Sequence, residues 1–270
     1  MNLLKLSSVV ALSATTLLGG ATVLADSTDD LKGQVRDVKT DATIQFVPGD
    51  GETVVIPPVD ENDPDKEVVI PPIPGPDGNY GPLTITYASA FNFGSHEISN
   101  VKTHYPLIAE EYELKNNPGV MRPYVSFVQV SDTTGKNEGW NLNVELSEFE
   151  ADADNAVNKT IAGAQIEFHN SFLKYPGDES QRPTIEMDDV KAVLAPNASM
   201  NLINAEVGKG AGVTDIVWGN QDAIDAQNPA DGDVLNHAVQ LHIPAASAVD
   251  ATTYSATLDW SLVAGPRDVQ

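Results

Sequence analysis

Tyr254-Ser-Ala-Thr-Leu-Asp-Trp-Ser-Leu-Val263 decides the fold class. Tyr254, Ala256, Leu258, Trp260 and Leu262 alternate with Ser255, Thr257, Asp259 and Ser261, the period of two that gives an extended strand one apolar and one polar face. Trp140-Asn-Leu-Asn-Val-Glu-Leu146 repeats the pattern and again opens with Trp-x-Leu on its apolar side. Further strand candidates lie at 83–87, 122–130, 164–169, 184–194, 199–206, 213–218 and 238–244, and 91–94 and 96–99 continue the same texture. Glycine, asparagine and aspartate separate them, as turns require. Helical periodicity is weak and confined to a turn or two at 222–227. The pattern predicts an all-β antiparallel sandwich of about ten strands over residues 83–270.

Charge narrows the function. The 270 residues carry 39 acids against 15 bases, a formal charge of −24. Such a surface repels phosphate backbones and anionic lipid, which argues against nucleic acid and basic-patch membrane partners. Repulsion from other polyanions should likewise ease in acid, as carboxylates protonate. The chain has no cysteine, which excludes disulfides, thiol catalysis and thiolate metal sites.

Residues 1–25 have the form of a signal peptide: Lys5, an apolar core over 6–18, and Val23-Leu-Ala25 before the cut. That core is too short for an ordinary membrane span, and no other stretch is long enough, so the mature chain is expected to have none. Residues 26–82 hold nine prolines and a net charge of −9. They are expected to form an extended, acidic, Pro-rich spacer, with Ala42-Thr-Ile-Gln-Phe-Val47 able to form a short strand. Val54-Val-Ile-Pro-Pro58 recurs as Val68-Val-Ile-Pro-Pro72, and these two segments have a second reading, as edge strands packed on the domain.

Trp140-Asn-Leu142, following Val130-Ser-Asp132, Gly135 and Gly139, resembles the first motif block of the WxL cell-surface domain. Tyr254 to Leu262, with Trp260-Ser-Leu262, is similar to its C-terminal block. Leu83-Thr-Ile85, Phe93-Gly94, Ala164-Gln-Ile166 and Asp41-Ala-Thr-Ile-Gln-Phe46 extend the likeness over nearly the whole chain. The resemblance implies an exported surface protein of low-GC Gram-positive bacteria, held non-covalently on the cell wall through peptidoglycan; the lack of catalytic motifs noted below adds the expectation that it is no enzyme and has no cofactor. It further implies a membrane-anchored partner protein and a role in adhesion or in multi-protein surface complexes. An alternative within the same resemblance is an adhesion or structural subunit retained by that partner rather than by glycan.

Trp140, Leu142, Trp260 and Leu262 are the motif's candidate binding residues, yet their place on apolar strand faces suits core packing equally. Trp218, in the less regular Ile216-Val-Trp-Gly-Asn220, is a comparable candidate for an exposed ring. Asp259 and Ser261 are candidates on the polar face of the last strand. No nucleophile elbow, paired zinc histidines or phosphate loop is present. His96, His104, His169, His237 and His242 are dispersed and read as solvated or hydrogen-bonded strand residues, with His242 facing outward. Glu145, Glu167, Glu186, Asp188 and Asp189 fit solvated strand positions, although a glycosidase-like carboxylate pair stays open as a third function class. Asp152-Ala-Asp154-Asn155 lacks the glycine and closing glutamate of a calcium loop, so no metal site is expected.

Overall fold

The computed structural model describes residues 42–49, 54–60, 63–72 and 79–266. The signal-peptide reading of residues 1–25 lies outside them, as does much of the spacer. The architecture below is that of the compact unit 45–270.

Among the described residues the strands run β1 (Val68–Val69), β2 (Leu83–Ala88), β3 (His104–Ile108), β4 (Glu110–Leu114), β5 (Asn117–Tyr124) and β6 (Ser126–Asp132). They continue with β7 (Trp140–Leu146), β8 (Glu150–Ala151), β9 (Gln165–His169), β10 (Phe172–Lys174), β11 (Thr184–Ile185) and β12 (Lys191–Leu194). The last five are β13 (Ser199–Ala205), β14 (Gly212–Trp218), β15 (Leu235–His242), β16 (Tyr254–Ser255) and β17 (Leu258–Ala264), and one short helix, α1 (Gln221–Asp225), follows β14. All pairings are antiparallel. Three four-stranded sheets have the orders β10-β14-β6-β2, β11-β13-β7-β17 and β12-β9-β15-β3. A three-stranded sheet, β1-β4-β5, and the β16-β8 pair complete the fold.

The alternation in Trp140–Leu146 is realised in full: Trp140, Leu142, Val144 and Leu146 are all 0% exposed. β7 lies between β13 and β17, and its register with β17 sets Trp260 opposite Val144 and Leu262 opposite Leu142. Directly opposed residues share a face, so both Trp-x-Leu units line the inner surface of one sheet as antiparallel neighbours. Inner faces of all three four-stranded sheets meet there in one core, to which β9 gives Ile166 and Phe168, β14 gives Ile216 and Trp218, and β15 gives Val239.

A second core explains two departures from the sequence reading. The far side of β10-β14-β6-β2 packs Tyr87, Phe127 and Val217 against Tyr112 and Tyr124 of the β4-β5 hairpin. A strand covered on both faces has no polar side, so its alternation disappears. Trp218, read as a candidate for exposure, is 0% exposed for this reason. The same core takes in Val55, Val68 and Ile70, so both Val-Val-Ile segments are packed, as in their second reading. β1 pairs with β4. The first repeat instead mates with a side chain: Gln129 accepts from Ile56 N at 3.0 Å and donates to Ile56 O at 2.6 Å. Arg122, 9% exposed at its side chain, ties down the intervening loop through Asp60 (2.7 Å), the Lys66 carbonyl (2.6 Å) and Asp225 of α1 (2.5 Å).

The short strand considered at 42–47 is not formed, and Ile44, Phe46 and Val47 stay exposed. Residues 91–94 and 96–99 are irregular too. Conversely β3, β4 and the first five residues of β5 were not foreseen, and Pro106 and Pro118 interrupt β3 and β5. β3 and β5 lie at sheet edges, where a missing amide donor is tolerated.

Candidate functional site

Residues 88–99 and 243–258, the second irregular as far as β16, frame a cleft of about 790 Å³. The first leaves β2 at Ala88 and is pinned to β3, with Ile108 N donating to Asn92 O at 2.8 Å. Asn92 Oδ1 accepts from Gly94 N at 2.9 Å, and Gly94 takes φ +78°, which turns the chain back on itself. His96 contacts the Phe93 carbonyl at 2.6 Å and lays its ring 4.7 Å from that of Tyr105.

The second wall is braced by a carboxylate. Asp250 accepts from Val157 N at 2.5 Å and from Asn158 Nδ2 at 2.6 Å, which holds it below the usual carboxylate range. Its own amide donates to Tyr254 Oη at 2.9 Å, and Tyr254 Oη donates to Asn158 O at 2.8 Å. Asp250 and Tyr254 thereby fix the wall to the loop after β8.

Trp260 lies between core and cleft. It is half-buried on β17 and also lines the cleft. Behind it, the rings of Trp218 and Phe91 lie 6.5 Å away, with Phe91 edge-on at 88°. Phe168 supports Trp218 at 4.9 Å. Offset and edge-on aromatic contacts of this kind are favourable and hold rings in fixed orientation. Trp218 Nε1 is buried without a hydrogen-bond partner among the described residues. The cleft therefore combines a rigid aromatic surface, including Phe93 and Tyr105, with serine, threonine and asparagine side chains. That mixture suits a ligand with apolar ring faces and many hydroxyls.

The sequence candidates separate into three environments. Trp140 and Leu142 are wholly buried, and Trp140 Nε1 donates to Gly210 O at 3.0 Å. Trp260 faces the cleft, with Leu262 half-buried on the same side of β17. Asp259 and Ser261 are exposed on the opposite side, facing Glu145 and Asn143 across the ladder. Trp260 and the Asp259/Ser261 pair thus point away from each other and cannot touch one small ligand together. Phe91, Phe93, Tyr105, Tyr254 and Asp250 escaped the sequence reading, though Phe91-Asn-Phe-Gly94, two rings beside a turn glycine, carried a usable signal. The histidines are less dispersed than their spacing suggests, for His104, His169 and His242 converge on Glu167 and its sheet face.

No described group of three or more histidine or carboxylate side chains could hold a metal ion. No described helix is long and apolar enough to cross a membrane. A family model for the WxL domain, described as surface cell wall-binding, matches residues 33–266. No curated protein and no solved structure matches the chain. With the family model spanning both Trp-x-Leu strands and the cleft between their flanking segments, the chain belongs to the WxL family of surface cell wall-binding domains.

Proposed function

We propose that this cell-wall surface protein is held non-covalently by peptidoglycan, with a stretch of glycan lying in the cleft against Trp260. The carrying observation is the pairing of that half-buried indole with a rim of hydroxyl and amide groups in one cleft. Sugar rings present apolar C–H faces to aromatic surfaces and hydroxyls to polar side chains, so both halves of the cleft have a use. The protein acts by binding rather than by catalysis. Of the two carboxylates that line the cleft, Glu97 and Asp250, the latter is committed to the amide donors of Val157 and Asn158.

Co-sedimentation of the purified chain with isolated peptidoglycan tests the reading. Trp260→Phe should weaken binding about two- to tenfold, the loss expected from a poorer aromatic contact. Asp259→Ala and Ser261→Ala should leave it unchanged, with urea midpoints confirming that all three variants fold. The reverse pattern would move recognition to the polar face and sink the cleft reading.

A second reading, retention by a membrane-anchored protein partner, draws support from β17 itself. β17 ends its sheet and exposes Asp259, Ser261 and Val263. An edge strand of this kind suits strand addition by another protein. On that reading the chain would bind an exported partner ectodomain, and wall retention would vanish when the partner is deleted.

A further inference from the structure

Phe91 joins the cleft to the core. Its ring lies 6.5 Å from that of Trp260 and 6.4 Å from that of Trp218, edge-on to both. The rings of Phe168 and Phe93 lie 6.0 and 6.4 Å from it. All four contacts depend on where the backbone places residue 91, yet residues 89–99 form no strand, so no ladder holds them. Two hydrogen bonds bracket Phe91 instead. On one side Asn92 O accepts from the amide of Ile108, the last residue of β3. On the other, Ala90 N donates at 3.2 Å to Oε1 of Glu110, the first residue of β4.

Glu110 is itself fixed. Its Oε2 accepts from Tyr112 Oη at 2.9 Å and from Tyr87 Oη at 3.1 Å, and the two hydroxyls touch each other. Both tyrosines belong to the second core, at 7% and 6% exposed, and their rings meet edge-on at 6.1 Å. Tyr87 also stacks on Phe127 at 4.7 Å. With Oε2 held by two buried phenols, Oε1 is aimed at Ala90 rather than left to turn in solvent. An amide bound to an ionised acceptor makes a stronger bond than one bound to a neutral oxygen. Ser89 is gripped as well, its amide donating to Phe127 O at 3.0 Å and its Oγ accepting from Phe127 N at 3.0 Å. Residues 87, 89, 90 and 92 are therefore all held, which leaves Phe91 little beyond its own side-chain torsions.

We propose that Glu110 is a positioning residue for the cleft: it carries the fixed geometry of the second core to Ala90 and so sets the Phe91 ring against the Trp260 indole. Glu110 is outside the residues that line the cleft and acts only through Phe91. Its effect on glycan binding rests on the cleft reading above, whereas its effect on the rings does not. An aromatic surface serves a ligand in one orientation, and a ring free to tilt must be ordered on binding at an entropic cost. Losing the Ala90 bond should thus weaken glycan binding although no group is removed from the cleft.

The test labels the full chain with 5-fluorotryptophan, whose three fluorine resonances are assigned with the Trp140→Phe and Trp260→Phe variants. Glu110→Ala should move the Trp218 and Trp260 resonances by more than a linewidth. That of Trp140, which bonds to Gly210 outside the Phe91 cluster, should stay in place. Pelleting with isolated peptidoglycan should weaken about threefold, the scale of one modest hydrogen bond. Glu110→Gln, whose oxygen can accept from Ala90 N while its amide donates to a tyrosine hydroxyl, should restore both. Tyr124→Phe, which loosens the second core through Val59 instead, should change neither. The proposal is overturned by unmoved Trp218 and Trp260 resonances in Glu110→Ala, equal movement of Trp140, no restoration by Glu110→Gln, or the same changes in Tyr124→Phe. Unchanged pelleting of Glu110→Ala where Trp260→Phe pellets weakly overturns it too. Should Glu110→Ala not fold, amide exchange in the wild-type chain decides. Ala90 is exposed, yet its amide should exchange at least about tenfold slower than in an unfolded chain, and an unprotected amide refutes the clamp. Trp260→Phe separates the two readings. If it pellets as wild type while the Glu110→Ala resonances move, the cleft reading fails and the clamp stands; if it pellets weakly while they stay, the clamp fails alone.

Discussion

Arg122→Met should loosen the second core from the segment that precedes β2. The methionine keeps much of the apolar stem and deletes the guanidinium, which donates to Asp60, Asp225 and the Lys66 carbonyl. Removing one partner from a fully buried ion pair costs about 3–5 kcal/mol, and an exposed pair is worth at most about 1 kcal/mol. Asp60 and Asp225 are 30% and 28% exposed, so they rehydrate in part and the cost falls between these limits, about 2–3 kcal/mol. For a domain of this size that is a fall in melting temperature of about 5–10 °C. Trypsin cleavage after Lys66 should accelerate in parallel. The pH dependence adds a check with a definite sign. Burial raises the Asp225 carboxyl, but Arg122 and Gln221 outweigh it and hold it below its ordinary value. A depressed folded value contributes stability above the unfolded value of about 3.9 and loses it as pH falls through the folded one. The gap between wild type and variant should therefore be full at pH 7 and narrow as pH falls below about 4, leaving the share carried by the Lys66 carbonyl contact. A melting temperature within about 1 °C of wild type, with Lys66 still protected, would refute the tethering role.

Gly139→Ala should be severe, because at φ +79° a Cβ would meet the Glu206 carbonyl carbon and oxygen at 2.9 Å and press on the Ala205 carbonyl. A loss of at least about 3 kcal/mol is expected by urea denaturation. Gly208→Ala, at φ +85° with nothing near, should cost about 1–2 kcal/mol, and equal costs would discount the clash. Trp140→Phe removes the hydrogen bond to Gly210 O and some volume, for about 2 kcal/mol. Wall pelleting by the folded Trp140→Phe variant should be unchanged, and its loss would show that the buried indole does more than pack.

Where one sheet face is packed and the other solvated, side-chain alternation exposed the fold directly. The seven residues of β7 and the run from Tyr254 to Leu262 follow that rule, with the polar positions of the latter exposed and its apolar ones half-buried. The rule fails for β6 and β14, which separate two cores and bury nearly every residue. Proline misled in a different way. It marks Val54-Val-Ile and Val68-Val-Ile as spacer, yet Gln129 and β4 satisfy the first and second through contacts that one sequence cannot reveal. The cleft was illegible because residues 88–99 and 243–253 are irregular and irregular backbone has no period; the alternation from Tyr254 to Trp260 was legible, but not that its apolar face also lines a cleft. The convergence of three histidines on the sheet face of Glu167 was hidden by distance along the chain. His104, His169 and His242 meet through the registers of β9 with β15 and β15 with β3, which are tertiary facts.

β7 gains its two neighbours at very different times in the life of the chain. β13 follows it by some fifty residues, but the other edge waits for β17, whose pairing of Ala264 with Trp140 spans more than a hundred. Until residue 264 has been synthesised, a strand bearing Trp140 and Leu142 keeps an open edge and lacks one of its two neighbours. Such an edge is a template for pairing with other chains. Completion of the fold is thus withheld until a late strand arrives, and a chain cut short before Leu258 should be recognised as unfinished by its own stickiness rather than by any missing site.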